Sequence, residues 1–325
     1  MAPVLAIVGC GWIARRHAAA ARRLGLSLAF ASRDPDRARR YARQFGGVAA
    51  FGSYGEALRD PRVTAAVICT PHDRHLPDVL EALGAGKHVL VEKPIGRTLE
   101  EADRMLAAAR ETGLTLMVGE NFHFMPAFRH VRGLVAAGAL GRLRELSLAA
   151  RGFRELGGWR AAGEQMGGGI LIDGGIHYVH NLRSWGGEVR RLYALRPPQA
   201  LTGMVEEDGV QLLAELDGGA VGFLANSFGT PGVLPFQWST VSGTLGMCFA
   251  DNRGRLVLVR GRGRTRLRFF RRDLRGHEAM LADFCEAMRS GKPPETDGAD
   301  GRRDLAVVLA AYRSLAERRP VEPAC

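Results

Sequence analysis

The sequence predicts an α/β chain of two domains. The first is a parallel sheet with helices on both faces. The second is an α+β domain with a large, mainly antiparallel open sheet. Three observations carry this. Residues 4–8 are an apolar run that ends in Gly9-Cys10-Gly11 and leads into a helix-like stretch, the pattern of a buried parallel strand feeding a phosphate-binding turn. Apolar strands then alternate with helical patterns through residue 120. After Gly119 that rhythm stops, and strand-length segments separated by turns fill residues 189–270.

Taken in order, residues 4–8 form the first strand and 13–24 a helix stopped by Gly25. Residues 26–31 make the second strand, 35–45 a helix and 53–58 a short helix. Strand 63–69 is followed by helix 74–83, strand 88–91, helix 99–112 and strand 116–118. Beyond that lie helix 127–137, strand 143–149, a loop over 152–169 and a helix over 170–185. The later strands are 189–195, 208–216, 219–227, 236–242, 246–250, 255–260 and 264–270. Helices 277–289 and 302–318 close the chain. This places a cofactor-binding domain at 1–120 and a substrate-binding and oligomerisation domain at 121–325, whose last helix is free to pack back on the first.

Composition narrows the function class. No stretch of eighteen apolar residues predicts a membrane span, and no basic, apolar leader precedes the first strand. Five widely spaced cysteines, an odd number without metal-knuckle spacing, fit a reduced cytoplasmic interior. The net charge of +11 raises the question of a nucleic-acid partner, but the charge is spread along the chain and no recognition motif accompanies it. It reads as a solvated arginine-rich surface. Only three of the 45 basic residues are lysines, Lys87, Lys93 and Lys292. Lysine can give up its proton and arginine cannot, so Lys93, at the end of an apolar strand, stands out as a proton-handling group.

The Gly9-Cys10-Gly11-Trp12-Ile13-Ala14 segment supplies a tight turn at Gly9, a close approach for a pyrophosphate at Gly11, and a small residue for helix–strand packing at Ala14. An acid commonly ends the second strand of an NAD site; here Ser32 and Arg33 stand there, which suits the 2′-phosphate of NADP better. Asp34 comes one residue late and reads as the cap of the helix that begins at Pro35. Asp173 and His177 lie four apart on a predicted helix, so both face one way, and a carboxylate can orient an imidazole and raise its basicity. Lys93 completes the set as proton donor or acceptor. Asp173, His177 and His180 also have a spacing that could hold zinc or iron, but no nearby cluster completes a shell, and no metal is expected. No nucleophile elbow points to a hydrolase.

With these residues in view, the chain resembles the Gfo/Idh/MocA oxidoreductases, relatives of glucose-fructose oxidoreductase and inositol 2-dehydrogenase. The resemblance runs through the glycine loop, Thr70-Pro71-His72 with His75, the run from Gly86 through Glu92-Lys93-Pro94, Asn121 and Pro126, Trp159-Arg160, and Gly168 through His177. It implies a Rossmann domain followed by an α/β domain whose open sheet makes homodimer or homotetramer contacts. It implies Lys93 and His177 as the proton-handling pair with Asp173 assisting, and a cis bond before Pro94. It implies a nicotinamide cofactor near Gly9, Gly11, Trp12, Ile13, Ser32, Arg33, Thr70, Pro71, His72, His75, Glu92 and Lys93. Sugars, inositols and sugar nucleotides are the implied substrates, met by Asn121, His123, Arg154, Trp159, Arg160, Asp173, His177 and His180. Two positions depart from the family pattern: His180 stands where many members carry an acid, and His123 where many carry arginine. Arg151, Arg154 and Arg160 are alternative partners for a substrate anion. The expected activity is hydride exchange with a hydroxyl or carbonyl; the alternatives are a redox-neutral enzyme with retained cofactor and a non-catalytic NADP-binding regulator.

Overall fold

A computed structural model describes residues 4–230, 237–261 and 263–324. The chain forms two compact units, Met1–Glu120 with His277–Arg302, and Asn121–Gly276 with Arg303–Cys325.

The first unit runs β1 (Val4–Val8), α1 (Trp12–Arg23), β2 (Ser27–Ala31), α2 (Pro35–Phe45), β3 (Ala49–Phe51), α3 (Tyr54–Arg59), β4 (Val63–Ile68), α4 (His75–Gly84), β5 (His88–Glu92), α5 (Leu99–Thr112) and β6 (Leu116–Gly119). The six strands form one parallel sheet in the order β3-β2-β1-β4-β5-β6. All five residues of β1 are buried, as a strand covered by helices on both faces requires. The strand order reverses between β1 and β4, and ligands of open α/β sheets bind in the crevice at such a point. Side chains start the helices: Asp34 accepts from the Arg37 backbone N–H at 3.1 Å, Ser53 from Glu56 and Thr98 from Glu101. The sequence reading lacks β3, whose three residues at the sheet edge are too few to show a period.

The second unit begins with α6 (Asn121–Phe124), α7 (Pro126–Ala136), β7 (Leu143–Arg151), α8 (Gly163–Met166) and α9 (Ile176–Gly186). It continues with β8 (Val189–Leu195), β9 (Gly209–Leu216), β10 (Val221–Ser227), β11 (Trp238–Gly243), β12 (Gly246–Asp251), β13 (Leu256–Gly261) and β14 (Arg264–Phe269). Helix α10 (His277–Ser290) belongs to the first unit, and α11 (Gly298–Glu317) begins there and continues into the second. The eight strands β7–β14 form one sheet, ordered β14-β13-β12-β11-β7-β10-β9-β8. Only β7 and β10 pair in parallel, because the chain between them crosses over through α8 and α9. Along β9 the buried side chains alternate with exposed ones, so one face of the sheet is covered and the other open.

Three details differ from the sequence reading. The stretch 152–169 is not all loop: a 3₁₀ turn at Gly158–Ala161 and α8 lie within it. The helix expected from residue 170 opens with a π-helical turn, Leu171–Gly175, before α9. The strand expected over 236–242 begins at Trp238, and position 236 lies outside the described residues. Among the described residues no helix is long and apolar enough to cross a membrane.

Candidate active site

In a parallel sheet the strands end on one edge, and β1, β4 and β5 bring the glycine loop, Thr70–His72 and Glu92–Lys93 to it. Gly9 has φ +91°, and a Cβ there would stand 3.0 Å from the Cys69 carbonyl oxygen and 3.1 Å from Thr70 Cγ2. Both backbone conformation and space therefore demand glycine. A Cβ on Gly11 would meet no protein atom within 4 Å. Gly11 precedes α1, whose N-terminus has no side-chain cap and no acid in its first turn, so its backbone N–H groups remain available to an anion. The Tyr41 hydroxyl donates to the Gly11 carbonyl at 2.9 Å and fixes the loop from below. Ala14 is fully buried on the sheet side of α1, and Trp12 is exposed at its tip with Arg16 over its ring. This open, uncapped cradle fits a dinucleotide pyrophosphate.

At the end of β2, Ser32 is buried and its hydroxyl accepts from the Asp34 backbone N–H, whereas Arg33 is exposed. Asp34 caps α2 and stands near Arg37 and Arg40. The carboxylate in this segment is thus committed to the helix.

Lys93 follows a buried pair. Glu92 Oε1 lies 2.7 Å from His17 Nε2 on α1, and both side chains are nearly sealed from solvent. Burial pushes the Glu92 carboxyl up, but the His17 hydrogen bond and the charges of His17, Lys93 and His277 outweigh it, and the group titrates at about 2. The Lys93–Pro94 bond is cis. His75, fully buried, contacts the Pro94 carbonyl through Nδ1 at 2.8 Å and the Thr70 carbonyl through Nε2 at 3.1 Å. Burial lowers its pKa, which favours the neutral ring donating through Nδ1 to the shorter contact. His75 therefore ties the loop after β4 to the loop after β5. His72 is buried, its ring 5.5 Å from that of His75, and the Thr70 hydroxyl donates to Asp78 at 2.8 Å.

In the second unit His177 stacks face to face on Phe122, with ring centroids 4.2 Å apart and planes 7° from parallel. Asp173 lies in the π-helical turn and accepts from Arg160 Nε at 3.2 Å, and the Arg160 guanidinium lies over the Trp159 ring. Such turns inside α-helices are frequent at functional sites. The glycines before them admit two large polar side chains. A Cβ on Gly169 would fall 2.0 Å from Glu207, and one on Gly168 would fall 2.5 Å from the Tyr312 hydroxyl. Tyr312 accepts from the backbone N–H groups of Gly169 and Ile172 and donates to Glu207 Oε1, which also accepts from Leu171 N–H. Burial pushes the Glu207 carboxyl up to about 7 despite those hydrogen bonds. His123 and His180 touch each other, ring nitrogen to ring nitrogen, and Asn121 donates through its amide to the Arg275 carbonyl at 2.7 Å. Arg154 stands 6.0 Å over the Phe228 ring. Cys10 and Cys69 are buried and burial drives both thiols up, Cys10 to about 12, so neither offers a thiolate.

Residues 4–120 match an oxidoreductase family described as having an NAD-binding Rossmann fold, and residues 128–249 match the GFO/IDH/MocA C-terminal domain. The chain belongs to the Gfo/Idh/MocA oxidoreductase family. Its relatives include a 1,5-anhydro-D-fructose reductase of Ensifer adhaerens, 30% identical over 97% of each chain, and a myo-inositol 2-dehydrogenase of Thermotoga maritima, 28% identical over 98% of each. Levoglucosan dehydrogenase in complex with NADH and levoglucosan superposes with a TM-score of 0.92 at 21% identity, covering all of both chains. An aldose-aldose oxidoreductase from Caulobacter crescentus in complex with glycerol superposes with a TM-score of 0.90 at 25% identity, covering 99% of this chain and 100% of that one. The protein is an NAD(P)-dependent oxidoreductase of the Gfo/Idh/MocA type.

Sequence reasoning did not reach Phe122, His17, Glu207 or Tyr312. The glycine run at 167–169 signals that something approaches closely there, but not what.

Proposed function

We propose that this Gfo/Idh/MocA enzyme exchanges hydride between NADP and a hydroxyl or carbonyl carbon of a sugar, inositol or sugar-nucleotide-like substrate. The observation that carries the reading is Lys93 at the C-terminal end of β5. It follows a buried Glu92–His17 pair, and it lies on the sheet edge that also bears the uncapped glycine loop. The bound nicotinamide supplies the hydride acceptor or donor. Gly9 and Gly11 leave room for its pyrophosphate, and the N–H groups at the start of α1 bind that charge. Ser32 and Arg33 bind the 2′-phosphate, because Asp34, capping α2, leaves no free carboxylate for a ribose diol. Lys93 and His177 hold and move the hydroxyl proton, and Asp173, anchored by Arg160, orients the substrate. His177, stacked flat on Phe122, keeps one ring plane and so aims its nitrogens along fixed lines. Asn121, His123, Arg154, Trp159 and Arg160 line the substrate side. Oligomerisation through the open sheet is supported by the exposed Leu213, Leu267 and Phe269 on its strands.

The test is a screen of polyols and sugars against NADP and NAD, followed by nicotinamide absorbance. Turnover with at least one polyol and a preference for NADP is expected. Lys93→Ala is expected to lower kcat by roughly a hundredfold or more while leaving NADPH binding detectable. Full activity in Lys93→Ala, or a clear preference for NAD, overturns the corresponding part of the reading.

A further inference from the structure

The turn that carries Asp173 is capped from elsewhere in the second unit. A helix start leaves its first N–H groups without partners in its own turn. Four successive N–H groups stand at this one, from Gly169 to Ile172. Gly169 and Ile172 both donate to the Tyr312 hydroxyl at 3.2 Å. Leu171 donates to Glu207 Oε1 at 3.0 Å, and Ile170 donates to the Glu207 backbone carbonyl at 3.0 Å. The Tyr312 hydroxyl gives its own proton to Glu207 Oε1, also at 3.0 Å. Two residues thus satisfy all four donors, and the two are bonded to each other.

Both caps are themselves anchored. Glu207 is 5% exposed and ends a loop that Asp208 fastens by accepting from the Ala200 and Leu201 N–H groups at 2.6 and 2.7 Å. Tyr312 comes from α11. Gly168 and Gly169 have no side chain where these two groups lie, so a larger residue at either would expel its cap. The five residues Leu171–Gly175 are wound as a π-helical turn, a rare form, so what holds its start also holds its shape. We propose that Tyr312 and Glu207 are positioning residues for the reaction: by capping this turn they set where the Asp173 carboxylate stands. The proposal rests on the assignment of Asp173 to the substrate in the reading above. It makes the pair act through Asp173 and leaves cofactor binding to the first unit.

Amide hydrogen exchange of the full-length protein, labelled with nitrogen-15 at glycine, leucine and isoleucine, tests the cap directly. Gly169, Leu171 and Ile172 are expected to exchange as slowly as the buried amides of α9. In Tyr312→Phe, exchange at Gly169 and Ile172 is expected to speed up by about tenfold or more. Fast exchange at these positions in the wild type overturns the proposal, and that measurement needs no variant to fold.

Kinetics with a polyol that the wild type turns over test the consequence. Tyr312→Phe keeps the ring and removes only the hydroxyl. It is expected to lower kcat/KM for the polyol by roughly ten- to a hundredfold while NADPH affinity stays unchanged. Glu207→Leu is expected to behave alike. Glu207→Gln keeps an oxygen to accept from Leu171 and Tyr312 and is expected to stay within about threefold of the wild type. In an Asp173→Ala background, Tyr312→Phe is expected to cost little beyond Asp173→Ala alone, because it acts through that carboxylate. A loss that adds fully in both backgrounds is the mark of a merely structural role and refutes the proposal, as does wild-type kinetics in Tyr312→Phe. Asp173→Ala as active as the wild type instead overturns the reading of Asp173, and the proposal with it, so the two failures are distinguishable.

Discussion

Glu207→Gln removes a buried carboxyl that is held near neutral pH. In the folded protein Glu207 titrates at about 7, against an ordinary glutamate value of 4.5, because burial penalises its charge and Glu206 adds repulsion. The hydrogen bonds from Leu171 N–H and the Tyr312 hydroxyl pull the other way and do not win. The folded state therefore holds this proton more tightly than the unfolded chain does. Its stabilising contribution is complete below pH 4.5, declines as pH rises, and is lost once pH passes about 7. A gap of that size corresponds to about 3 kcal/mol. Glutamine keeps an oxygen to accept from Leu171 and Tyr312 and cannot ionise. Urea unfolding followed by tryptophan fluorescence, at a series of pH values from 5 to 8.5, should show wild-type stability falling more steeply than that of Glu207→Gln. The difference between the two should grow by about 3 kcal/mol across the window and then level off. Parallel pH profiles for the two proteins would refute the argument, since they would mean that Glu207 titrates alike in the folded and unfolded states.

His17→Ala leaves the Glu92 carboxylate buried without its partner, and unfolding in urea at pH 7 should reveal a loss of about 3–5 kcal/mol; an unchanged midpoint would remove the pair from the account of the Lys93 loop. Because Glu92 is held down at about 2, the wild-type pair contributes fully above the ordinary glutamate value and is lost only as pH falls through about 2. Gly9→Ala forces a Cβ against the Cys69 carbonyl at a backbone angle that L-residues avoid, and NADPH fluorescence titration should show affinity weakened roughly tenfold or more. Equal affinity would mean that the loop does not need this turn to receive the dinucleotide.

The first sheet was legible because its signals are local. A buried parallel strand such as β1 is apolar at every position, and Gly25 and Asp34 mark helix ends by their own chemistry. Asp34 as a cap could be read from one residue and its neighbour Pro35. The three-residue β3 could not be read, because it has no room for a period. The π-helical turn at Leu171–Gly175 escaped for a different reason. Its glycines suit a helix start as well as a wider turn, and what selects between them is Tyr312 and Glu207, which are distant in sequence.

The same distinction decides which parts of the site could be read. Lys93, Asp173 and His177, the proposed proton-handling groups, announce themselves singly, by residue type and place. The buried polar groups come instead in pairs that join distant segments: His17 with Glu92, Tyr312 with the turn at Gly169, His180 with Asp304. An apolar position accepts several side chains of similar size, so a core is visible as a pattern even when single residues vary. A buried polar group accepts only a partner of complementary polarity at hydrogen-bond distance, and leaving it without one costs about 1–3 kcal/mol. Half of such a pair looks in sequence like a stray histidine or acid.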